Sequence, residues 1–245
     1  MALPAGNPFS APALSNTVRA VLTLAVLLTF QGLSVGKAYS QEGERSLKRR
    51  NPLTWSELFD GQTLEGWTVV EEADFRHHGK VLVDAGELVL KPGAPATGIR
   101  LQDEPPRENY ELSLQARRVQ GSDFFCGLTF PVGDSLCTWI VGGWGGHVVG
   151  LSNVNGRHAA ENETGAHFEF ENGRWYELRL RVTKLAIDAS IDDKEVIRLS
   201  RKERKFDIWQ EQRPLAPLGI AAWQTETAIK RIRIRALEPS VSEGD

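Results

Sequence analysis

The residues best suited to chemistry lie in a glycine-rich stretch, Thr138-Trp-Ile-Val-Gly-Gly-Trp-Gly-Gly-His-Val-Val-Gly150. Glycines flank Trp144 on both sides, so few neighbouring side chains can cover its indole ring. An exposed indole stacks well on the apolar face of a sugar, and His147 offers a hydrogen bond or a proton to the same ligand. The alternative is that Trp144 packs in the core at a β-bulge.

The segment that follows, residues 152–162, is rich in amide, guanidinium and imidazole groups. Such groups suit the recognition of hydroxyls, which makes Asn153, Asn155 and Arg157 candidate sugar-binding residues. Glu161 is a candidate catalytic acid or base that would work with His147. The alternative is that the Asn155-Gly156 pair simply forms a turn.

Other familiar catalytic patterns are missing from the chain. It has no glycine-rich phosphate loop, no His-Glu-x-x-His, no Cys-x-x-Cys and no Gly-x-Ser-x-Gly. The pairs Glu161/Glu163 and Glu169/Glu171 would lie about 7 Å apart on a strand, within the range of glycosidase carboxylates. Such pairs are also common on solvated strands, so they favour catalysis only weakly.

No metal site and no cofactor are predicted from these patterns. His77 and His78 are adjacent, and neighbouring residues on a strand face opposite sides of the sheet. The net charge of −3 is too weak to indicate a nucleic-acid partner, and the chain lacks the clustered positive field that phosphate binding needs, so no such partner is predicted. The oligomeric state is left open.

The elements that must position these residues are short strands. Apolar and polar residues alternate over Trp175–Val182, and strands separated by turns are also predicted within 81–90, 110–119, 185–199 and 229–237. The arginines at 231, 233 and 235 should face solvent, and a short helix is predicted within 200–205. This pattern indicates a single all-β domain over residues 55–237, a sandwich or a barrel.

The N-terminal region has a different composition from the rest of the chain. An 11-residue apolar run, Ala20 to Phe30, is too short to span a ~30 Å hydrocarbon core at about 1.5 Å per residue. Residues 1–40 therefore resemble a signal peptide, with an uncleaved N-terminal anchor as the alternative. We expect an exported protein, periplasmic or extracellular, without a membrane span in the mature chain. A flexible lead-in (41–54) and a polar tail (238–245) flank the domain.

The chain has two cysteines, Cys126 and Cys137, on what looks like a strand hairpin. If the turn has an even number of residues, both sulfurs point to one face, and export would permit a cross-strand disulfide. The alternative is two buried thiols that pack as small hydrophobic groups.

The stretch Leu58-Phe-Asp-Gly-Gln-Thr-Leu-Glu-Gly-Trp67 resembles the "LFDG-x-x-L-x-GW" start of the 3-keto-disaccharide hydrolase domain family (DUF1080). Weaker matches follow in the family's order, at 83–90, 109–112, 172–178 and 218–237. The resemblance implies a concanavalin-like jelly-roll sandwich that cleaves 3-keto glycosides by elimination or hydrolysis. A 3-keto group acidifies the neighbouring C–H, so a general base can start the cleavage.

The chain departs from this family at several positions. It has Gly146-His-Val-Val-Gly-Leu-Ser152 where many members carry an acidic strand, and Ala221-Ala-Trp-Gln224 where they carry "LQ". With His147 or Glu161 as base, Trp144 and Trp223 would be sugar platforms, and Gln224 would join the hydroxyl-binding residues. The competing hypotheses are a non-catalytic, lectin-like module and, more weakly, a scaffold protein.

Overall fold

The computed structural model describes residues 54–238, and about half of these residues lie in strands. The predicted signal peptide (1–40) lies outside the described residues, as do the lead-in and the tail except for their innermost residues. No helix in the described range is long and apolar enough to cross a membrane.

Within residues 54–238, fifteen strands form two antiparallel sheets. The eight-stranded sheet has the order β13-β12-β11-β6-β15-β4-β3, with β1 paired to β15. Its strands are β1 (Ser56–Glu57), β3 (Val81–Asp84), β4 (Glu87–Leu90), β6 (Tyr110–Gln120), β11 (Tyr176–Val182), β12 (Ala186–Ile191), β13 (Lys194–Ser200) and β15 (Glu226–Ala236).

The seven-stranded sheet has the order β10-β9-β8-β7-β14-β5-β2. Its strands are β2 (Trp67–Val69), β5 (Ala96–Leu101), β7 (Cys126–Val132), β8 (Ser135–Gly143), β9 (Val148–Ser152), β10 (Ala166–His167) and β14 (Gly219–Trp223). The chain crosses between the sheets after β1, β2, β4, β5, β6, β10, β13 and β14. The predicted jelly-roll sandwich is therefore confirmed.

The main core lies between the two sheets, where alternate residues of each strand point inward. Trp139, Tyr110 and Tyr176 are fully buried there. The Tyr110 hydroxyl donates to the carbonyl of Pro131 at 2.6 Å, which joins β6 of one sheet to β7 of the other. A buried hydroxyl without such a partner would cost stability, so this bond helps fix the stacking of the sheets.

The predicted hairpins are confirmed by their turns. Ala85 and Gly86 (φ 48° and 81°) connect β3 to β4, and Asp192 and Asp193 (φ 49° and 62°) connect β12 to β13. Consecutive positive φ values are typical of the tight turns that match strand twist. The predicted helix within 200–205 is wrong, because this segment forms turns instead. The two 3₁₀ helices lie at Ala73–Phe75 and Gln210–Leu215.

The LFDG stretch serves the fold. Phe59 and Trp67 are buried in the main core, and the Trp67 indole N–H donates to the carbonyl of Leu58 at 2.7 Å. The Asp60 carboxylate accepts the backbone N–H groups of Gln62 and Thr63, each at 2.8 Å. These hydrogen bonds, that from Thr63 first, lower the pKa of Asp60. The motif is therefore a turn with core anchors on both sides.

The outer face of the eight-stranded sheet carries the predicted arginine row. Ile232 and Ile234 point into the core, whereas Arg231 is exposed. Arg233 and Arg235 lie over the Trp55 ring, each 4.6 Å from its centroid. The prediction of a solvated sheet face is confirmed, with the tryptophan as an added packing surface.

The proposed disulfide is wrong for this fold. Cys126 lies opposite Val141 and Cys137 lies opposite Phe130, so the two cysteines are offset by four residues along the β7–β8 hairpin. Four residues correspond to about 13 Å along a strand, well beyond the reach of a disulfide. Both cysteines are buried free thiols, which is the alternative stated above.

Neither thiol should react with a thiol-specific reagent while the protein is folded. Both side chains are fully buried, and burial raises the pKa of Cys126 to about 12 and raises that of Cys137 as well. Because the thiolate is the reactive form, labelling should require unfolding. Labelling with and without guanidinium checks this: two thiols should react only in denaturant. The prediction is contradicted if the protein, denatured without a reducing agent, shows no reactive thiol.

Candidate functional site

A second apolar cluster covers the outer face of the seven-stranded sheet. Phe75 and Leu215, one from each 3₁₀ helix, are fully buried against this face, where they join Phe124 and Ile140. Gly98 on β5 makes this close approach possible. A Cβ at Gly98 would lie 2.7 Å from the Phe75 ring and 2.9 Å from Leu215. The sequence therefore brings both 3₁₀ helices onto the sheet through a strand residue that has no side chain.

A cleft of about 570 Å³ opens on this side of the sheet. A volume of this size suits a small organic ligand such as a mono- or disaccharide. Its walls are largely aromatic, and it also holds several carboxylates. The lining residues are Asp74, Asp123, Phe124, Thr138, Ile140, Trp144, Ser152, Trp209, Glu211, Gln212 and Trp223.

Trp144 borders the cleft with 41% of its surface exposed. The register shifts between Val141 and Gly143 at the end of β8, which is the bulge that the sequence suggested. Trp144 follows this bulge with a φ of 48°, a region that costs energy for a residue with a side chain. The bulge thus directs the indole to the surface, so the alternative in which Trp144 packs in the core is wrong.

Arg118 holds the loop that carries Trp144. Its side chain is buried, and its guanidinium donates to the carbonyls of Gly146 (3.3 Å) and Phe170 (2.8 Å), while Nε donates to Asn172 Oδ1 (2.6 Å). Gly146 has a φ of 100°, and a Cβ there would lie 2.5 Å from the Arg118 guanidinium. Glycine at this position is therefore required for the arginine to fix the loop.

His158 and Trp209 surround Trp144. The imidazole stacks on the indole at 4.9 Å with the planes 21° apart, and Trp209 meets Trp144 edge to face at 6.2 Å. Glu161 does not pair with His147; instead its carboxylate lies 3.1 Å from Nε2 of His158. Nδ1 of His158 accepts the backbone N–H of Ala160 at 3.3 Å, so both ring nitrogens are engaged and the imidazole is held in place against the indole.

Asp123 is a half-buried carboxyl group of the cleft whose pKa is shifted. Burial is the largest cause that raises its pKa, against hydrogen bonds from backbone N–H groups, the strongest from Phe124 at 2.7 Å. The backbone N–H groups of Trp144 and Gly145 also act on it. A carboxyl group with a raised pKa in a cleft is a candidate general base, because proton transfer is most effective when the pKa lies near the working pH.

The cleft also contains a polar atom without a partner. Gln212 is 6% exposed, and its Oε1 is buried and makes no hydrogen bond within the described residues. Such an acceptor is costly unless something donates to it. Ser152 is already engaged, because its hydroxyl accepts the backbone N–H of Ala159 at 2.8 Å. Gln212 Oε1 is thus a free acceptor at the wall of the cleft.

The other predicted base, His147, lies in a separate cluster at the edge of the seven-stranded sheet. Its Nδ1 is 3.3 Å from Glu169 Oε2, and its ring stacks on His167 at 5.1 Å with the planes 14° apart. His167 Nε2 lies 2.6 Å from Glu169 Oε1. The hydrogen bond with His167 is the largest cause that lowers the pKa of Glu169. His147 is not among the cleft-lining residues.

Of the remaining predicted residues, two lie at or beside the cleft and three do not line it. Trp223 lines the cleft, next to Phe124 with ring centroids 6.1 Å apart. Asn153 is buried next to the lining residue Ser152, and its Oδ1 has no partner within residues 54–238. The other three, Asn155, Arg157 and Gln224, are exposed and do not line the cleft.

Two of those three have evident structural roles. Asn155 and Gly156 (φ 52° and 76°) form the predicted turn between Val154 and Arg157, and the Asn155 side chain also accepts the backbone N–H of Lys205 at 2.9 Å. The backbone N–H of Gln224 donates to the carbonyl of Pro95 at 2.8 Å. Their predicted roles as hydroxyl-binding residues remain predictions.

Sequence reasoning missed four residues of this site: Asp123, His158, Trp209 and Gln212. Trp209 had a usable signal, because it is a lone aromatic residue in the polar segment Asp207-Ile-Trp-Gln-Glu-Gln212. His158 lay within the polar stretch at 152–162 but was not singled out. Nothing near Asp123 distinguishes it from an ordinary loop aspartate; only the fold brings it to the cleft.

Comparison with known proteins gives one family. The model of a 3-keto-alpha-glucoside-1,2-lyase-like domain matches residues 54–235, which is nearly the whole described range. No curated protein sequence matches the chain significantly.

Several solved structures share part of the fold at low identity. Carbohydrate-binding module CBM66 from Bacillus subtilis is 14% identical with a TM-score of 0.47, covering 70% of this chain and 96% of its own. Domain 4 of AbnA, a GH43 extracellular arabinanase from Geobacillus stearothermophilus, is 18% identical with a TM-score of 0.47, covering 71% and 84%. A structure from work on mucin O-glycanases of human gut microbiota is 15% identical with a TM-score of 0.49, covering 77% and 100%.

Proposed function

Because the chain belongs to the 3-keto-alpha-glucoside-1,2-lyase-like domain family, a carbohydrate-related family, we propose that its cleft binds a 3-keto glycoside and cleaves it by elimination. One observation carries the choice of site and base. Asp123 is a half-buried carboxyl group with a raised pKa in a cleft walled by Trp144, Trp209 and Trp223. This base replaces His147 and Glu161 of the sequence-based hypothesis, which do not line the cleft.

The reaction follows from the acidity that the keto group confers. Asp123 takes the proton from C2, and the electron pair of that bond forms an enolate with the C3 oxygen. When the C3 carbonyl forms again, the pair moves to C1–C2 and the C1–O glycosidic bond breaks. The leaving oxygen then takes a proton. Asp123, which carries the proton after the first step and lines the cleft, is our proposed donor.

The proposal is tested by incubating the protein with 3-keto-trehalose or a 3-keto-glucoside. Release of the free sugar, together with an unsaturated keto product, is the expected result. Binding of the glycoside without release would support the lectin-like module instead. Absence of both binding and release would contradict the assignment of the cleft to carbohydrate.

Trp144→Ala should weaken binding of the glycoside about tenfold. Loss of a stacking indole costs about 1.4 kcal/mol, and this amount corresponds to a tenfold change in Kd. Calorimetric titration with the 3-keto glycoside measures the change. Trp175→Ala is a matched control, because Trp175 packs against Arg117 and Lys230 of the other sheet. Equal losses in the two variants would contradict a platform at Trp144.

A further inference from the structure

The cluster of His147, His167 and Glu169 lies outside the cleft and is not used by the proposed reaction. The three side chains each offer one ligand atom, and these atoms all lie within 4.8 Å of one another. His147 follows β8, whereas His167 ends β10, the edge strand of the seven-stranded sheet. The backbone N–H of Phe168 donates to the carbonyl of His147 at 2.8 Å, which fixes the two segments side by side.

The geometry points to a divalent metal site, and we propose that these three residues bind Zn²⁺. Two imidazoles and one carboxylate are a common zinc ligand set, with metal distances of about 2.0–2.2 Å. Ligand atoms around a tetrahedral ion then lie about 3.3–3.5 Å apart. The distance of 3.3 Å between His147 Nδ1 and Glu169 Oε2 already has this value.

A second observation supports a ligand at this cluster. Nδ1 of His147 is buried and makes no hydrogen bond within the described residues, even though Glu169 Oε2 is near. The 3.3 Å contact with Glu169 leaves this nitrogen without a well-formed hydrogen bond, and a metal ion between the two atoms would satisfy both. Glu169 can serve both histidines, because its two oxygens face Nδ1 of His147 and Nε2 of His167.

The site would be open to solvent and would bind the ion with moderate affinity. The His167 and Glu169 side chains are 66% and 75% exposed, so both can adjust by rotation to complete the coordination. Mobile surface ligands lose side-chain entropy on binding, so we expect a weaker affinity than that of a buried structural zinc site. Three protein ligands leave a fourth position for water or an oxygen of an outside molecule, as in open zinc sites.

Calorimetric titration of the tag-free protein with Zn²⁺ at neutral pH tests the proposal, with Co²⁺ absorption as a second readout of tetrahedral coordination. One ion should bind per chain, and His167→Ala and Glu169→Gln should each weaken binding about tenfold or more. His77→Ala is the control, because it removes an exposed imidazole outside the cluster. The proposal is overturned by absence of binding, or by equal binding to wild type and to folded Glu169→Gln and His167→Ala variants.

Discussion

Asp123→Asn should lower the rate of 3-keto glycoside cleavage about 10²- to 10⁴-fold, the usual contribution of a general base. The amide is nearly the same size as the carboxyl, and its oxygen can still accept the N–H of Phe124. Sugar affinity should therefore change little, so the loss should appear in kcat. Asp134→Asn, at the exposed turn between β7 and β8, is the matched control and should retain full activity.

The same substitution should leave the stability at neutral pH unchanged or increase it. The pKa of Asp123 is raised in the folded state, chiefly by burial, so folding disfavours the charged form. The resulting loss of unfolding free energy is absent below the pKa of 3.8 in the unfolded chain, and it grows as the pH rises through the higher pKa of the folded protein. Denaturant unfolding of both proteins near pH 3 and pH 7 measures it. A large loss of stability at pH 7 would show instead that the charged carboxylate is a structural group.

Phe75→Ala should destabilise the protein by about 3–5 kcal/mol, the usual cost of removing a buried phenylalanine. It should also abolish sugar binding. Phe75 is fully buried between its 3₁₀ helix and Gly98, and its neighbour Asp74 lines the cleft. Without this ring the 3₁₀ helix loses its main contact with the sheet, so the part of the cleft wall that this helix forms should move away from the sheet.

Phe130→Ala separates this local effect from a general loss of stability. Phe130 is fully buried in the main core, on the inner side of the same sheet. We expect a similar cost in unfolding free energy, measured by denaturant titration, but normal sugar affinity while the protein remains folded. Equal affinity in Phe75→Ala and wild type would contradict the role of the second cluster in forming the cleft.

The fold was predictable because its determinants are local. The Ala85-Gly86 and Asp192-Asp193 turns and the alternation in β11 each specify their strands within a few residues. The register of the β7–β8 hairpin was not predictable to the required precision. A tight turn at Gly133-Asp134 places Cys126 and Cys137 on one face but too far apart to bond.

The candidate site was predictable only in part, because it is assembled from distant segments. The glycines around Trp144 correctly indicated an exposed indole. The partners of His147 and Glu161 depend on how β10 and the loop at 155–165 fold back, and each contacts a different residue from the one expected. Asp123 acquires its raised pKa from burial by surrounding groups, which no local pattern encodes.

Hydrogen exchange at C2 of a bound 3-keto glycoside tests the central claim most directly. In D₂O, wild-type protein should catalyse loss of the C2 proton signal, together with formation of the unsaturated product, as followed by NMR. Asp123→Asn should bind the glycoside but leave the C2 proton in place. If Asp123→Asn exchanges this proton as fast as wild type, Asp123 is not the base.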